Sequence, residues 1–176
     1  MEIEEEGIDV TDNLPYDLFL LSTALRPFVC ADLLIRNRQG QILLSRRSDD
    51  YYGAGWQIPG GILRMRETLA DRIQRTAIEE IGADVICNYV PLAVREHMLP
   101  IYGDNCKSLS DIERSHNIGF LYECFVREDY EIDNKGKSES DNGFLKWFDS
   151  IPDDILECHT RAYGDILKKL SVMKEH

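Results

Sequence analysis

Basic residues are scarce in this chain. Twenty lysines and arginines stand against 32 aspartates and glutamates, for a formal net charge of −12. That imbalance excludes a broad nucleic-acid footprint, because affinity for a polyphosphate rests on clustered cations. A local basic patch for one phosphorylated small molecule remains compatible with it. Cysteine is thin too: Cys30, Cys87, Cys106, Cys124 and Cys158 are scattered, with no CxxC pair. Zinc and dithiol chemistry therefore lack their spacing signature, and free thiols in a reducing compartment are expected. No apolar run approaches the roughly 20 residues of a membrane span. The opening MEIEEEGIDV is acidic, unlike a secretory or basic transit segment. A cytoplasmic protein with neither a membrane nor a nucleic-acid partner is the expectation.

What is present suits one domain. The chain has 176 residues, of which 43% are hydrophobic, enough for a sizeable core. Residues 1–13 read as an acidic flexible lead-in with little to bury, and 14–176 as the single domain. Pro15 opens a short helix to about Thr23. Strands are predicted over 28–35 and 41–47, joined by a hairpin turn ending at Gly40. A loop rich in glycine and aromatics covers Asp49 to Gly61. Residues 68–81 make the strongest helix: Leu69, Ile73, Ala77 and Ile81 line one face, and Gly82 stops it. Further strand is expected over Val85–Val94, 117–126 and Phe144–Phe148, with a long loop over Leu99–Glu113 and a polar, flexible excursion over Tyr130–Gly143. A last helix from His159 to Val172 buries Tyr163, Ile166, Leu167 and Leu170. Helices that interrupt strands without regular alternation predict a mixed α/β (α+β) domain, a sheet sandwiched between helices.

Chemistry concentrates around the strongest helix. Arg72, Arg75, Thr76, Glu79 and Glu80 fall mostly opposite the apolar stripe, and Arg75 and Glu79 are spaced to pair. Adjacent carboxylates at Glu79 and Glu80 attract a hard cation such as Mg²⁺, with a carbonyl of Gly60 or Gly61 able to join the shell. A solvated face with one Arg–Glu pair is the plainer alternative. Gly60 and Gly61 allow close backbone approach or a turn. Arg46 and Arg47 alternate faces on a strand, so one of them faces the site. Asp32 sits in an apolar strand and needs a partner, either a salt bridge or a ligand. His97 and His116 flank the long loop, and Tyr51, Tyr52 and Tyr102 are candidate nucleobase contacts.

The segment Gly61–Ala83, GILRMRETLADRIQRTAIEEIGA, resembles the Nudix box. Gly61, Glu67, Arg75, Glu79, Glu80 and Gly82 fall at the box's fixed positions. Thr76 stands where the family usually has the first glutamate of its Arg-Glu pair. Within the family, the chain from Tyr16 to Tyr163 is most similar to the GDP-mannose mannosyl hydrolases. It shares the tract Gly55-Trp56-Gln57-Ile58-Pro59-Gly60-Gly61 and the closing His159-Thr160-Arg161-Ala162-Tyr163. Those enzymes also lack the glutamate at the position of Thr76. The chain departs from them at Ile62, where they carry arginine, for which Arg64 or Arg66 can compensate. It departs again at Asp141-Asn142, where they carry a metal-binding glutamine and a histidine base.

The resemblance implies a Nudix fold and a homodimer. It also implies a Mg²⁺-dependent (Mn²⁺ is possible) hydrolase of a nucleotide sugar, with GDP-mannose converted to GDP and mannose as the best single guess. Metal would be held at Gly60, Gly61, Glu79, Glu80 and Asp141. Arg47 would bind phosphate or leaving group, Asp32 the sugar, and Arg64, Arg66 and Tyr102 further parts of the substrate. Asn142 cannot act as a base, which leaves His116, then His97, then Asp141. Two alternatives are a pyrophosphatase of nucleoside diphosphate-X compounds (ADP-ribose or MutT-like) and a non-catalytic nucleotide-binding module.

Overall fold

The computed structural model describes residues 14–49, 53–98 and 116–172. Alternation along β1 (Phe28–Arg36) sets its layers. Ala31, Leu33 and Ile35 enter one core with Ile73, Ala77 and Ile81 of α2 (Leu69–Ile81). Leu34 enters a second core with Tyr163 and Leu167 of α3 (Glu157–Val172). Successive strand side chains point to opposite faces, so one strand feeds two cores. The result is a mixed sheet with a helix on each face.

The other strands are β2 (Ile42–Asp49), β3 (Gly53–Gln57), β4 (Gly60–Ile62), β5 (Ile86–Cys87), β6 (Ala93–Met98), β7 (His116–Phe125) and β8 (Leu145–Phe148) among the described residues. The sheet runs β3-β2-β1-β7-β5, and β4, β6 and β8 pair with β1, β7 and β2. The β1–β7 pair is parallel, and it runs unbroken from Phe28↔Asn117 to Arg36↔Phe125. The sheet's other strand pairs are antiparallel. Helix α2 begins in a capping box between Thr68 and Asp71 and ends at Gly82, whose φ of 73° is left-handed. Helix α1 (Tyr16–Leu25) precedes the sheet.

Four expectations change. The expected loop before Gly61 contains β3 and β4, because β3 continues the hairpin from β2 through Arg47↔Gly55. The strand expected over Val85–Val94 splits. Asn88 accepts from Val90 N–H and Tyr89 takes a φ of 58°, so local bonding replaces the ladder there. The Tyr130–Gly143 excursion is pinned at several points: Tyr130 donates to the Ile81 carbonyl, Asn134 exchanges two bonds with Leu145, and the Gly143 N–H donates to the Arg46 carbonyl. Arg72 and Thr76 are buried, at 1% and 0% exposure, not opposite the apolar stripe. Residues 99–115, Tyr51, Tyr52 and the Leu170 side chain lie outside the described residues.

Candidate functional site

The buried Arg72 explains how the acidic helix is braced. Its Nε donates to Thr76 Oγ1 at 3.0 Å and its guanidinium to Glu79 at 2.6 Å. Glu67, itself enclosed, stands 3.8 Å from Arg72 and 3.3 Å from Arg75, and accepts from the Arg64 backbone N–H. Thr76 thus accepts the bond that keeps Arg72 flat beneath Gly61. A Cβ on Gly61 would collide with Thr76 Oγ1 and crowd Arg72 Nε. Neither Gly60 nor Gly61 has positive φ, so close approach is what requires glycine there.

Glu79 and Glu80 face the cavity in front of this brace. Burial raises the Glu80 pKa, opposed first by Arg47, with Glu79 adding to the rise. A desolvated carboxylate beside a second one is a setting that a divalent cation relieves. No group of three or more His, Cys, Asp or Glu residues converges on a metal position among the described residues. Mg²⁺ is compatible with that, since it keeps several waters and is completed by substrate phosphates and a carbonyl oxygen.

The cavity has two lobes that meet at Arg47, Gln57, Glu79 and Glu80. The outer lobe, about 400 Å³, is lined further by Arg46, Lys137, Asn142 and Gly143. The inner lobe, about 330 Å³, runs to Asp32, His97, His159 and Tyr163, with Phe19 of α1 at its wall. Arg47 donates to Gln57 at 3.2 Å at the waist. Arg46, one residue earlier, turns to Asp154 at 2.7 Å and lies over the Trp56 ring.

At the inner end Tyr163 donates to Asp32 Oδ2 at 2.6 Å. Burial lifts the Asp32 pKa to about 6, opposed by that hydroxyl. Gly60 and Gly119 make room for the pair, since a Cβ on Gly60 would strike Asp32 and one on Gly119 would strike the Tyr163 hydroxyl. His159 opens α3 beside them. Burial presses its pKa down to about 4, with Arg47 and then His97 adding to the fall. His97 is 8% exposed, and its Nε2 is buried without a hydrogen-bond partner among the described residues.

The structure therefore brings Asp32, Arg47, Gly60, Gly61, Arg64, Glu79, Glu80 and His97 to one cavity. It does not bring His116 there: β7 presents its ring to Glu96, 2.9 Å away, on an exposed rung. Asp141 lines neither lobe, because its carboxylate accepts from the Ser138 N–H and hydroxyl in a surface turn. Arg66 is exposed on a left-handed turn with φ 64° and lines neither lobe. Tyr102 lies outside the described residues. Sequence reasoning missed His159, Gln57 and the Tyr163 hydroxyl as site groups. The signal was the four-residue spacing of His159 and Tyr163 on α3, with Tyr163 already in the buried stripe.

This fold is that of a known family. The NUDIX domain model matches residues 26–167, and the chain belongs to that family. It is a Nudix-fold hydrolase of a nucleoside diphosphate-linked substrate, and membership implies divalent-metal dependence. The low-salt glycan biosynthesis protein Agl8 of Haloferax volcanii is 30% identical over 119 residues, 68% of this chain and 72% of that protein. An RNA pyrophosphohydrolase of Novosphingobium aromaticivorans is 25% identical over 142 residues, 78% of this chain and 88% of that one. Among solved structures, the MutT protein of Methanosarcina mazei has a TM-score of 0.57 at 18% identity, covering 86% of this chain and 98% of its own. A MutT Nudix hydrolase of Burkholderia pseudomallei has a TM-score of 0.53 at 22% identity, covering 75% and 92%. No helix of the described residues is long and apolar enough to cross a membrane.

Proposed function

We propose that the protein hydrolyses a nucleoside diphosphate sugar to the free sugar and nucleoside diphosphate, with Mg²⁺ (or Mn²⁺) as cofactor and GDP-mannose as the first substrate to test. The observation that carries this reading is the two-lobed cavity with its cationic and acidic waist. A nucleotide sugar has the same layout, two bulky ends joined by a diphosphate. The relative named for glycan biosynthesis supports a sugar-linked substrate.

In this reading Glu79 and Glu80, with a carbonyl of Gly60 or Gly61, hold the metal, which offsets diphosphate charge. Arg47 binds the leaving diphosphate from the other side of the waist. The Asp32–Tyr163 pair orients the sugar: Asp32 Oδ2 accepts from Tyr163, and its remaining lone pairs accept from a sugar hydroxyl. Arg64 lines the inner lobe and from there can compensate for the arginine that the resembling group carries at the position of Ile62. Thr76 supplies no carboxylate to activate water, which favours attack at carbon, where the nucleoside diphosphate leaves readily.

A panel of nucleotide sugars with Mg²⁺ or Mn²⁺, with products identified by mass and by oxygen-18 incorporation, tests the reading. Sugar carrying the label supports it. Sugar phosphate with nucleoside monophosphate establishes a pyrophosphatase instead, and nucleotide binding without products a non-catalytic module. A homodimer is proposed alongside, with Tyr16 and Leu25 of α1 left 63% and 69% exposed. A sedimenting species of only 20.3 kDa at micromolar concentration would count against the dimer.

A further inference from the structure

A water that attacks carbon must lose a proton, and neither the box position at Thr76 nor the position of the resembling group's histidine, Asn142, offers an acceptor here. Thr76 is committed to Arg72, and Asn142 donates to the Ser48 carbonyl at 3.0 Å. An amide is no base near neutral pH. The inner lobe holds an imidazole in their place. His159 is packed within protein but keeps part of its surface open to the cavity. His97 lines the same lobe, and its unpartnered Nε2 is a buried polar atom that calls for a ligand or water.

We propose that His159, held by α3 beside Arg47 and His97, is the proton acceptor for the attacking water. The assignment rests on the reaction proposed above. One lone pair of the neutral imidazole takes a proton from water, and the water oxygen forms the new bond to the anomeric carbon. The bond from that carbon to the diphosphate oxygen breaks, and its electron pair leaves with the nucleoside diphosphate. The imidazolium releases its proton to bulk water as the products depart, so sugar, nucleoside diphosphate and one proton account for all atoms.

The local field makes this acceptor depend on substrate. In the free enzyme, burial and the Arg47 cation hold His159 neutral and weakly basic. A diphosphate on Arg47 cancels that cation's field and raises the basicity of the imidazole once the site is loaded. The other charged groups lining the lobe are Arg64, Arg72 and Arg95 against Asp32, Glu79 and Glu80. Cys30, Cys158 and Tyr163 are neutral there, since burial raises all three. No fixed cation besides Arg47 contributes to the depression of His159.

The test has two arms. In wild-type protein, the imidazole resonances of His159 are titrated by nitrogen-15 NMR with and without inorganic pyrophosphate as a diphosphate probe. The expected result is a rise of about one pKa unit or more. In the second arm, His159→Gln is assayed on the best nucleotide sugar of the panel. Its kcat is expected to fall about 100-fold, with loss of the acidic limb of the rate profile, while KM stays within about threefold. Circular dichroism confirms its fold, and His159→Asn replaces it if glutamine does not pack. An imidazole unmoved by millimolar pyrophosphate overturns the assignment. So does a folded His159→Gln enzyme that keeps wild-type kcat and pH profile. If pyrophosphate raises the pKa but no nucleotide sugar is hydrolysed, the substrate reading and the acceptor role that rests on it fail together, and only the coupling of His159 to a diphosphate on Arg47 stands.

Discussion

Replacing Asp32 with asparagine should make the protein more stable and less active, and the size of the gain can be worked from the site. Burial raises the Asp32 pKa from 3.8 to about 6, with the Tyr163 hydroxyl opposing the rise. The unfolded chain loses this proton near pH 3.8 while the folded chain holds it to about pH 6. Below the lower value the group costs nothing, and the cost of burying its charge accumulates up to the higher one. At ~1.4 kcal/mol per pKa unit, two units cost ~3 kcal/mol at neutral pH. Asparagine keeps the shape between Gly60 and Gly119 and still accepts from Tyr163. Urea unfolding of both proteins from about pH 4 to about pH 7 measures the difference. Asp32→Asn should gain about 2–3 kcal/mol on wild type across that range, with the gain levelling off at the top. His159 acts in the opposite sense. Its pKa falls from 6.5 to about 4, so its contribution is full above pH 6.5 and is lost on acidification. Both proteins carry His159, so its effect cancels in the difference. A difference that does not vary with pH refutes the burial argument. Turnover of the nucleotide sugar should fall by orders of magnitude, because the amide cannot replace the carboxylate as sugar acceptor.

Three further outcomes are expected. Glu80→Gln should keep the fold and lose metal-dependent activity by orders of magnitude, and unchanged rates at limiting Mg²⁺ would contradict its role. Arg72→Met should destabilise by about 3 kcal/mol or more in chemical denaturation, because it leaves the enclosed Glu67 with only part of its charge partner. Gly61→Ala should lower both stability and activity, since its Cβ meets Thr76 and Arg72; a thermal midpoint equal to wild type would show that the brace can shift.

The helical span of α2, its apolar stripe and its glycine stop carried through from sequence to structure, because those signals lie in the local spacing of Leu69, Ile73, Ala77, Ile81 and Gly82. The sheet's mixed character followed from irregular alternation of elements. Periodicity failed at Arg72 and Thr76, two polar side chains that looked solvent-facing. A guanidinium can be buried when Glu67, Glu79 and a threonine hydroxyl satisfy it, and no window of sequence reveals partners that lie in other elements. His116 failed for a related reason: its position beside the long loop said nothing about the face it takes on β7, where Glu96 meets it.

The sequence by itself determined the box, the adjacent carboxylates at Glu79 and Glu80 and the glycine pair before them, because fixed spacing along one helix and its preceding loop is local information. It also marked Asp32 as a residue in need of a partner, since a carboxylate in an apolar strand is costly wherever the strand ends up. Only the tertiary structure decided that the partner is Tyr163, 131 positions away. It alone placed His159 and His97 in one lobe with Arg47. Those side chains come from β1, β2, β6 and α3, and their meeting depends on the parallel β1–β7 pairing and on which sheet face α3 covers. That register is set by long-range packing of two cores, which no local pattern encodes.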